Sequence, residues 1–273
     1  MSEKEPVRTQ TEWRFIDDGA HSGAENMARD EALAESVGEG AVPALRVYTF
    51  EPPAVSLGRF QEYPGSFDLE RCRAAGVDFV RRPSGGLAIL HYGDFTYSLS
   101  LPRSGGGPGV ARDFFLKTAS ALVESLSDLG IRVRPVEHSA SSRSGTWCFG
   151  ACFGADIEWG NRKICGSAIR VYGASVLQHG SLFLSVDENL LRDLAFDGAD
   201  RSYFVTLPEA GGRKYVLEEV SGAFRSGFSR ALGVKFETAA FSGKELERAD
   251  ELLRERYGTE KWLLEVTGDR SRL

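Results

Sequence analysis

The chain has 273 residues, 42% apolar, 26% charged and 11% aromatic, with a formal net charge of −6, so it can bury a sizeable core as one large domain or two small ones. The acidic balance excludes a general nucleic-acid-binding role, no apolar run reaches the length of a membrane span, and the charged stretch Met1 to Glu12 lacks the apolar core of a secretion signal. Four cysteines, Cys72, Cys148, Cys152 and Cys165, are too few for a disulfide framework and read as free thiols in a reducing cytoplasm.

Met1 to Glu12 reads as a disordered tail, and residues 13–273 as a single domain with a helical C-terminal part over about 215–262. Ala24 to Val37 is a helix stopped by Gly38 and Gly40. Ala44 to Phe50 and Val55 to Gly58 are strands, and Asp68 to Ala75 is a short helix closed by Gly76. A strand over Asp78 to Arg81 enters a Gly-Gly turn, Ala88 to His91 leaves it, and Phe95 to Leu101 continues the sheet. The run from Ser104 to Gly109 is a surface loop. Val110 to Leu129 is the clearest helix, with Phe114, Phe115, Ala119, Leu122, Leu126 and Leu129 on one core-packing face. Ile131 to Val136 is a strand, and the Ser-rich run Glu137 to Gly150 is a loop. Asp156 to Trp159 and Arg162 to Val171 flank Gly160-Asn161, a good two-residue hairpin turn, and Ser175 to Val186 is the next strand. Tyr215 to Leu232 and Gly243 to Tyr257 are helices separated by Val234 to Phe236. This order gives an α+β fold with helices packed on a mixed or antiparallel sheet.

Two segments carry the chemistry. In Arg81-Arg82-Pro83-Ser84-Gly85-Gly86-Leu87-Ala88-Ile89-Leu90-His91, a basic pair leads into a turn whose glycines let backbone come close to a ligand. Backbone N–H groups beside guanidinium groups suit a carboxylate, a phosphate or a polarised carbonyl; by itself, Gly-Gly reads as a tight β-turn. The second segment is Lys163-Ile164-Cys165-Gly166-Ser167-Ala168, followed by Val176-Leu177-Gln178-His179-Gly180-Ser181. By itself, Lys163 reads as a strand-edge charge beside a turn. Cys72 and Cys165 read as small buried apolar residues. Cys148 and Cys152 as half of a metal site find no convincing further ligand spacing, so no metal is expected.

Together these segments resemble the lipoate–protein ligase A/B superfamily, in which an Arg-Arg-x-Ser/Thr-Gly-Gly turn and a Lys-x-x-Gly-Ser-Ala strand enclose an acyl chain. Asn26-Met27-Ala28-Arg29-Asp30-Glu31-Ala32 is similar to the family's first helix. Arg46-Val47-Tyr48 through Pro52-Pro53-Ala54-Val55-Ser56-Leu57-Gly58-Arg59-Phe60-Gln61 is similar to its first strand pair, so the resemblance runs from about Trp13 to Trp262. It implies the biotin/lipoate ligase type of fold and an acyl site built from Arg81, Arg82, Ser84, Gly85, Gly86, Ala88, His91, Lys163, Gly166, Ser167, Ala168, His179 and Gly180.

Within that superfamily, Leu90-His91-Tyr92-Gly93-Asp94-Phe95-Thr96-Tyr97-Ser98 resembles the cysteine-dependent octanoyltransferase branch. That branch carries a Cys-Phe pair about fifteen residues ahead of its lysine; Cys148 stands fifteen before Lys163 and Cys152 eleven before it. The implied activity is transfer of octanoyl from acyl carrier protein to a lysine of a lipoyl-accepting domain (glycine cleavage H protein or a 2-oxoacid dehydrogenase E2), through a thioester on Cys148, with Cys152 as the alternative. No cofactor, nucleic acid or membrane is implied, and the location is cytoplasmic. Lys163 would activate the thiol or polarise the acyl carbonyl, and His91 or the departed carrier thiolate would accept the incoming lysine's proton. His179 would be a packed strand residue or a pocket wall. Three alternatives stand beside this one: an ATP- and Mg-dependent lipoate ligase, against whose large form the short stretch Tyr203 to Leu273 argues; an amidotransferase between protein lysines; and a non-catalytic acyl- or protein-binding relative. Leu87, the doubled Cys-Phe-Gly-Ala at 148–155 and Ile169 after Gly-Ser-Ala depart from the family pattern.

Overall fold

The computed structural model describes residues 12–62, 67–103, 105, 109–136, 156–194 and 201–264. In chain order the strands are β1 (Glu12–His21), β2 (Ala44–Phe50), β3 (Ala54–Leu57), β4 (Asp78–Arg81), β5 (Ile89–His91), β6 (Asp94–Pro102), β7 (Arg134–Pro135), β8 (Ile157–Trp159), β9 (Arg162–Val171), β10 (Ser175–Phe183) and β11 (Lys235–Thr238). The helices are α1 (Gly23–Gly38), α2 (Leu69–Ala74), α3 (Gly109–Asp128), α4 (Glu188–Leu194), α5 (Leu207–Gly211), α6 (Leu217–Leu232), α7 (Gly243–Leu252), which runs on as a π turn over Leu253–Tyr257, and α8 (Glu260–Leu264).

Among the described residues the strands form an eight-stranded sheet, ordered β11-β1-β2-β6-β10-β9-β8-β7, and a three-stranded sheet, ordered β4-β3-β5. The large sheet is mixed: β1 runs parallel to both β11 and β2, while β2, β6, β10 and β9 are antiparallel neighbours. This is the α+β arrangement expected. The Gly160-Asn161 hairpin turn is present, with both residues at positive φ, 55° and 66°.

The side-chain period of two divides the large sheet into two unlike faces. On β6, Phe95, Tyr97 and Leu99 point into the main core with Leu122 and Leu126 of α3 and Phe224 and Phe228 of α6. The alternate residues Asp94, Thr96, Ser98 and Ser100 are polar and equally buried. They lie on the opposite face, beneath α1, where Ser98 Oγ donates to Asp30 on that helix at 2.6 Å. A buried polar face is costly unless its groups are paired; Ser100 Oγ and Asp94 Oδ1 have no hydrogen-bond partner, and the pairing of the others builds the site described below.

Three expectations differ. Glu12 begins β1 rather than ending a tail. β7 covers two residues of the six expected to form a strand over Ile131 to Val136. The chain carries the additional short helices α4, α5 and α8. No helix among the described residues is long and apolar enough to cross a membrane.

Candidate active site

α1 supplies the buried anchor of the site. Ser22 caps it in a capping box with Glu25, and its inward stripe holds Asn26, Asp30 and Glu31 among apolar residues. Arg46 on β2, fully buried, donates to Asp30 Oδ1 at 2.8 Å and to Asn26 Oδ1 at 2.7 Å. Tyr48 OH donates to Asp30 Oδ2 at 2.8 Å, and His179 Nδ1 lies 3.1 Å from that oxygen. Burial opposes the Asp30 charge, but the His179 hydrogen bond, the Arg46 charge and the Ser98 hydroxyl outweigh it and hold the carboxyl below its ordinary value. Burial, partly offset by Asp30, lowers His179, so its ring is neutral at pH 7. Its Nδ1–H therefore donates to Asp30, and Nε2 accepts the Ser84 hydroxyl at 2.5 Å.

A second relay repeats the pattern. His91 Nδ1 lies 2.6 Å from Asp94 Oδ2, and its Nε2 lies 2.9 Å from Ser56 Oγ. Arg82 Nη1 approaches the same Ser56 oxygen at 3.3 Å. A guanidinium only donates, so Ser56 Oγ accepts from Arg82. Thr96 donates to Asp94 and shares a 2.6 Å bond with Ser181.

Most of these polar groups' hydrogen bonds run among themselves, and they present largely carbon to a cavity. Met27, Tyr48, Phe50, Ser56, Arg82 and Ile89 form one side of its lining, together with His91, which stacks on Phe50 at 3.8 Å. Gly166, Ser167, Ala168, His179 and Gly180 form the other. The cavity spans β2, β6, β10 and β9, three strand spacings or about 14 Å. At Gly180 a Cβ would stand 2.7 Å from the Gly166 carbonyl, so the glycine is required for the close approach of β10 and β9.

Lys163 is buried at the β9 end. Its Nζ is 2.8 Å from Asp156 Oδ2. The side chain passes beneath Gly166, where a Cβ would stand 2.6 Å from Lys163 Cε. Asp156 Oδ1 also meets the Ser167 N–H at 3.4 Å. Burial, followed by the Asp156 charge, pushes the Cys165 thiol up to about 12, and burial does the same to Cys72. Neither is a thiolate at neutral pH, in keeping with their reading as packed residues.

The structure gathers Arg82, His91, Gly166, Ser167, Ala168, His179 and Gly180 around one cavity, with Lys163 behind its Gly166 wall. Ser84 touches it through His179. Gly85 and Gly86 hold the turn by accepting Arg82 at Gly85 O and by placing Gly86 at φ +90° against Gly58. Ala88 is packed in the small-sheet core with Val55 and Leu57. Arg81 does not face the cavity: its guanidinium donates to the carbonyls of Gly58, Arg59, Gln61, Trp262 and Leu263. His91 sits at the Phe50 end of the cavity lining, stacked on that ring. Cys148 and Cys152 lie outside the described residues. Sequence reading missed Asp30, Asp94 and Asp156. For Asp30 a signal existed: an acid on the apolar stripe of α1, four residues after Asn26.

The family model for the lipoyl protein ligase A/B catalytic domain matches residues 22–228. The chain is similar to the octanoyltransferase LipM of Symbiobacterium thermophilum, at 35% identity over 93% of this chain and 98% of that one. It is also similar to LipM of Carboxydothermus hydrogenoformans, at 36% identity over 92% and 98%. Among solved structures it resembles lipoate-protein ligase A bound with ATP, with a TM-score of 0.82, 26% identity and coverage of 94% and 100%. It also resembles Ta0514 of T. acidophilum, a putative lipoate protein ligase with bound lipoic acid, with a TM-score of 0.79, 27% identity and coverage of 93% and 99%. The family blocks read in the sequence, the cavity they enclose and the match over most of the chain agree: the protein belongs to the lipoyl protein ligase A/B catalytic domain family.

Proposed function

We propose that this chain is an octanoyltransferase of protein lipoylation, moving an octanoyl group from acyl carrier protein to a lysine of a lipoyl-accepting domain. The observation that carries the reading is the Lys163–Asp156 pair set against the Gly166 wall of a largely carbon-lined cavity, in a chain similar over its length to octanoyltransferases. Extended, an octanoyl chain has seven C–C bonds; at ~1.5 Å each in zigzag it measures about 9 Å and fits the cavity's span.

In the proposed reaction, the thiolate of Cys148 (or Cys152) attacks the carbonyl of the donor thioester. The tetrahedral intermediate collapses with loss of the carrier thiolate, leaving octanoyl on the cysteine. The amine of the acceptor lysine then attacks this thioester, expels the cysteine thiolate and gives up one proton to the released carrier thiolate. Lys163 stabilises the oxyanion of both steps. Asp156 sits next in the chain to the segment bearing both cysteines, and it orients the Lys163 ammonium while holding the Ser167 N–H. Within this chain, no group other than the cysteine changes its covalent bonds.

Intact-protein mass after mixing with octanoyl-acyl carrier protein, without ATP, tests this in wild type, Cys148→Ala and Cys152→Ala. An octanoyl adduct lost in Cys148→Ala alone is expected. Transfer that appears only with free octanoate or lipoate and ATP would mean a ligase. Transfer from an octanoylated protein donor but none from the carrier would mean an amidotransferase.

A further inference from the structure

The transfer proposed above leaves one group of charges unused. Arg59 follows β3, and its N–H donates to Ser84 O at 2.9 Å, so it borders the Gly-Gly turn. Arg170 stands on β9 two residues beyond Ala168, on the same strand face as Gly166 and Ala168 of the cavity wall. Nε of Arg59, Nε of Arg170 and the hydroxyl of Tyr172 are buried and have no hydrogen-bond partner. The guanidinium contacts are ring faces: Trp262 at 5.2 Å and Phe60 at 5.7 Å for Arg59, Tyr172 at 5.6 Å for Arg170. Burial, then the charge of Arg170, holds Arg59 below the ordinary arginine value, so the two cations feel each other. The neighbouring carboxylate, Glu31, is already taken by Arg256 and Tyr257. Two half-buried like charges with unspent donors cost stability in the free protein, and a bound anion would reverse that cost.

We propose that Arg59, Arg170 and Tyr172 form an anion subsite that takes the phosphate group on the donor's prosthetic arm. The assignment rests on the transferase reading. Its geometry suits the arm: from Gly166, beside the Lys163 ammonium, to Arg170 is four residues of β-strand, about 14 Å. The arm from thioester sulfur to phosphorus has thirteen bonds, about 16 Å in zigzag at ~1.5 Å each, so a slightly bent arm places its phosphate at the arginines while its acyl group enters the cavity. Arg81 and Arg82 cannot serve, because their guanidinium donors are bonded to protein carbonyls.

The test compares two small donors, octanoyl-pantetheine and octanoyl-4′-phosphopantetheine, with wild type, Arg59→Gln and Arg170→Gln. Neither side chain has a polar partner to orphan, and melting temperature checks each variant's fold. The expected result is KM for the phosphorylated donor raised about tenfold, the scale of a charge-assisted hydrogen bond. KM for octanoyl-pantetheine and kcat with both donors should stay within about twofold, and Arg→Lys at either position should restore part of the loss. Equal loss with both donors, no loss, or a rise confined to the KM of the acceptor protein overturns the proposal. Calorimetric binding of 4′-phosphopantetheine to wild type and both variants decides the subsite even where no transfer occurs. Weakened binding in both variants supports it and unchanged binding overturns it, whereas failure of the wild type to transfer from either thioester counts against the transferase reading alone.

Discussion

Lys163 is the side chain on which the proposed chemistry turns, and its position depends on a missing atom. A Cβ at Gly166 would overlap Lys163 Cε at 2.6 Å, so Gly166→Ala must move the ammonium or the strand. We expect this variant to keep its melting temperature within a few degrees and to lose about a hundredfold in transfer rate, a typical cost of misplacing a group at the reacting centre; single-turnover kinetics reads the loss directly. Lys163→Gln removes the charge itself and should cost about 10²–10³ in kcat. It also strands the buried Asp156 carboxylate, so Asp156→Asn/Lys163→Gln serves as the stability control. The second residue to test is His179. Burial lowers its native pKa, whereas the unfolded chain titrates near ~6.5. Between those two values the unfolded state binds more protons than the native one, so stability rises with pH through that window. The contribution is complete above the unfolded value and is lost as pH falls below it toward the native one. The Asp30 carboxyl, held low by its partners after burial is overcome, adds a loss of the same sign at lower pH. Urea midpoints from pH 7.5 to 5 should therefore fall, by up to ~1.4 kcal/mol per pH unit from this ring. In His179→Gln the curve should be flatter between pH 6.5 and 5.5; an unchanged slope would assign the acid loss to another group.

At the level of elements, the crossing of α3 and α6 is held by a glycine against a serine. A Cβ at Gly227 would stand 2.4 Å from the backbone N of Ser125, whose hydroxyl donates back to Ala121 O at 2.7 Å. Alanine is the better helix former by about 1 kcal/mol, but forcing apart two helices that pack Leu122, Leu126, Phe224 and Phe228 costs more. Gly227→Ala is expected to destabilise by about 1–3 kcal/mol, read as a lower urea midpoint. Both helices were legible because long amphipathic periodicity carries its own evidence, and so were β2, β3, β6, β9 and β10. β1 was not. Its sequence EWRFIDDGAH does not alternate, because the strand lies between two parallel partners and bulges between Asp17 and Ala20. Of the short helices, α5 carries local signals that sequence reading passed over, a Thr206–Glu209 capping box, Pro208 in the first turn and Gly212 at its end, whereas α8 exists where Trp262 and Leu263 meet Arg81, and no periodicity survives in five residues. The candidate site was legible as two motifs, since glycine turns and a lysine in an apolar strand are local features. The carboxylates that orient it were not: Asp30 acquires meaning only when β2, β6 and β10 bring Arg46, Tyr48, Ser98 and His179 to α1, while Asp94 and Asp156 have partners close in sequence, His91 and Lys163, whose pairing shows only once the side chains are placed. Arg81 was misleading for the same reason: its neighbour Arg82 lines the cavity, while alternation turns Arg81 to the opposite side of β4.

Across the whole molecule, that turned-away arginine joins the two ends of the fold. Arg81 is fully buried, and one guanidinium bonds the Gly58–Gln61 segment after β3 to the carbonyls of Trp262 and Leu263 in α8. Trp262 Nε1 returns a bond to Arg81 O at 2.8 Å, and its ring packs edge-on to Tyr257, whose hydroxyl bonds Glu31 on α1. The small sheet, the first helix and the last helix thus close around the back of the Gly-Gly turn. Replacing Arg81 with methionine keeps much of the volume but leaves several buried carbonyls without donors, each costing about 1–3 kcal/mol where water cannot reach. Partial wetting of the freed loop would reduce that sum, so we expect a net loss of about 3 kcal/mol in urea unfolding. Because Arg59 N–H is bonded to Ser84 O, loosening the 58–61 segment must also loosen the turn that seats His179. Hydrogen exchange should therefore quicken together in 58–61, in the 84–87 turn and in 260–264, while α3 and α6 on the opposite face of the large sheet exchange as before. Faster exchange confined to 260–264 would mean that the last helix is only an appendage to the turn, and that the site is held by the sheet alone.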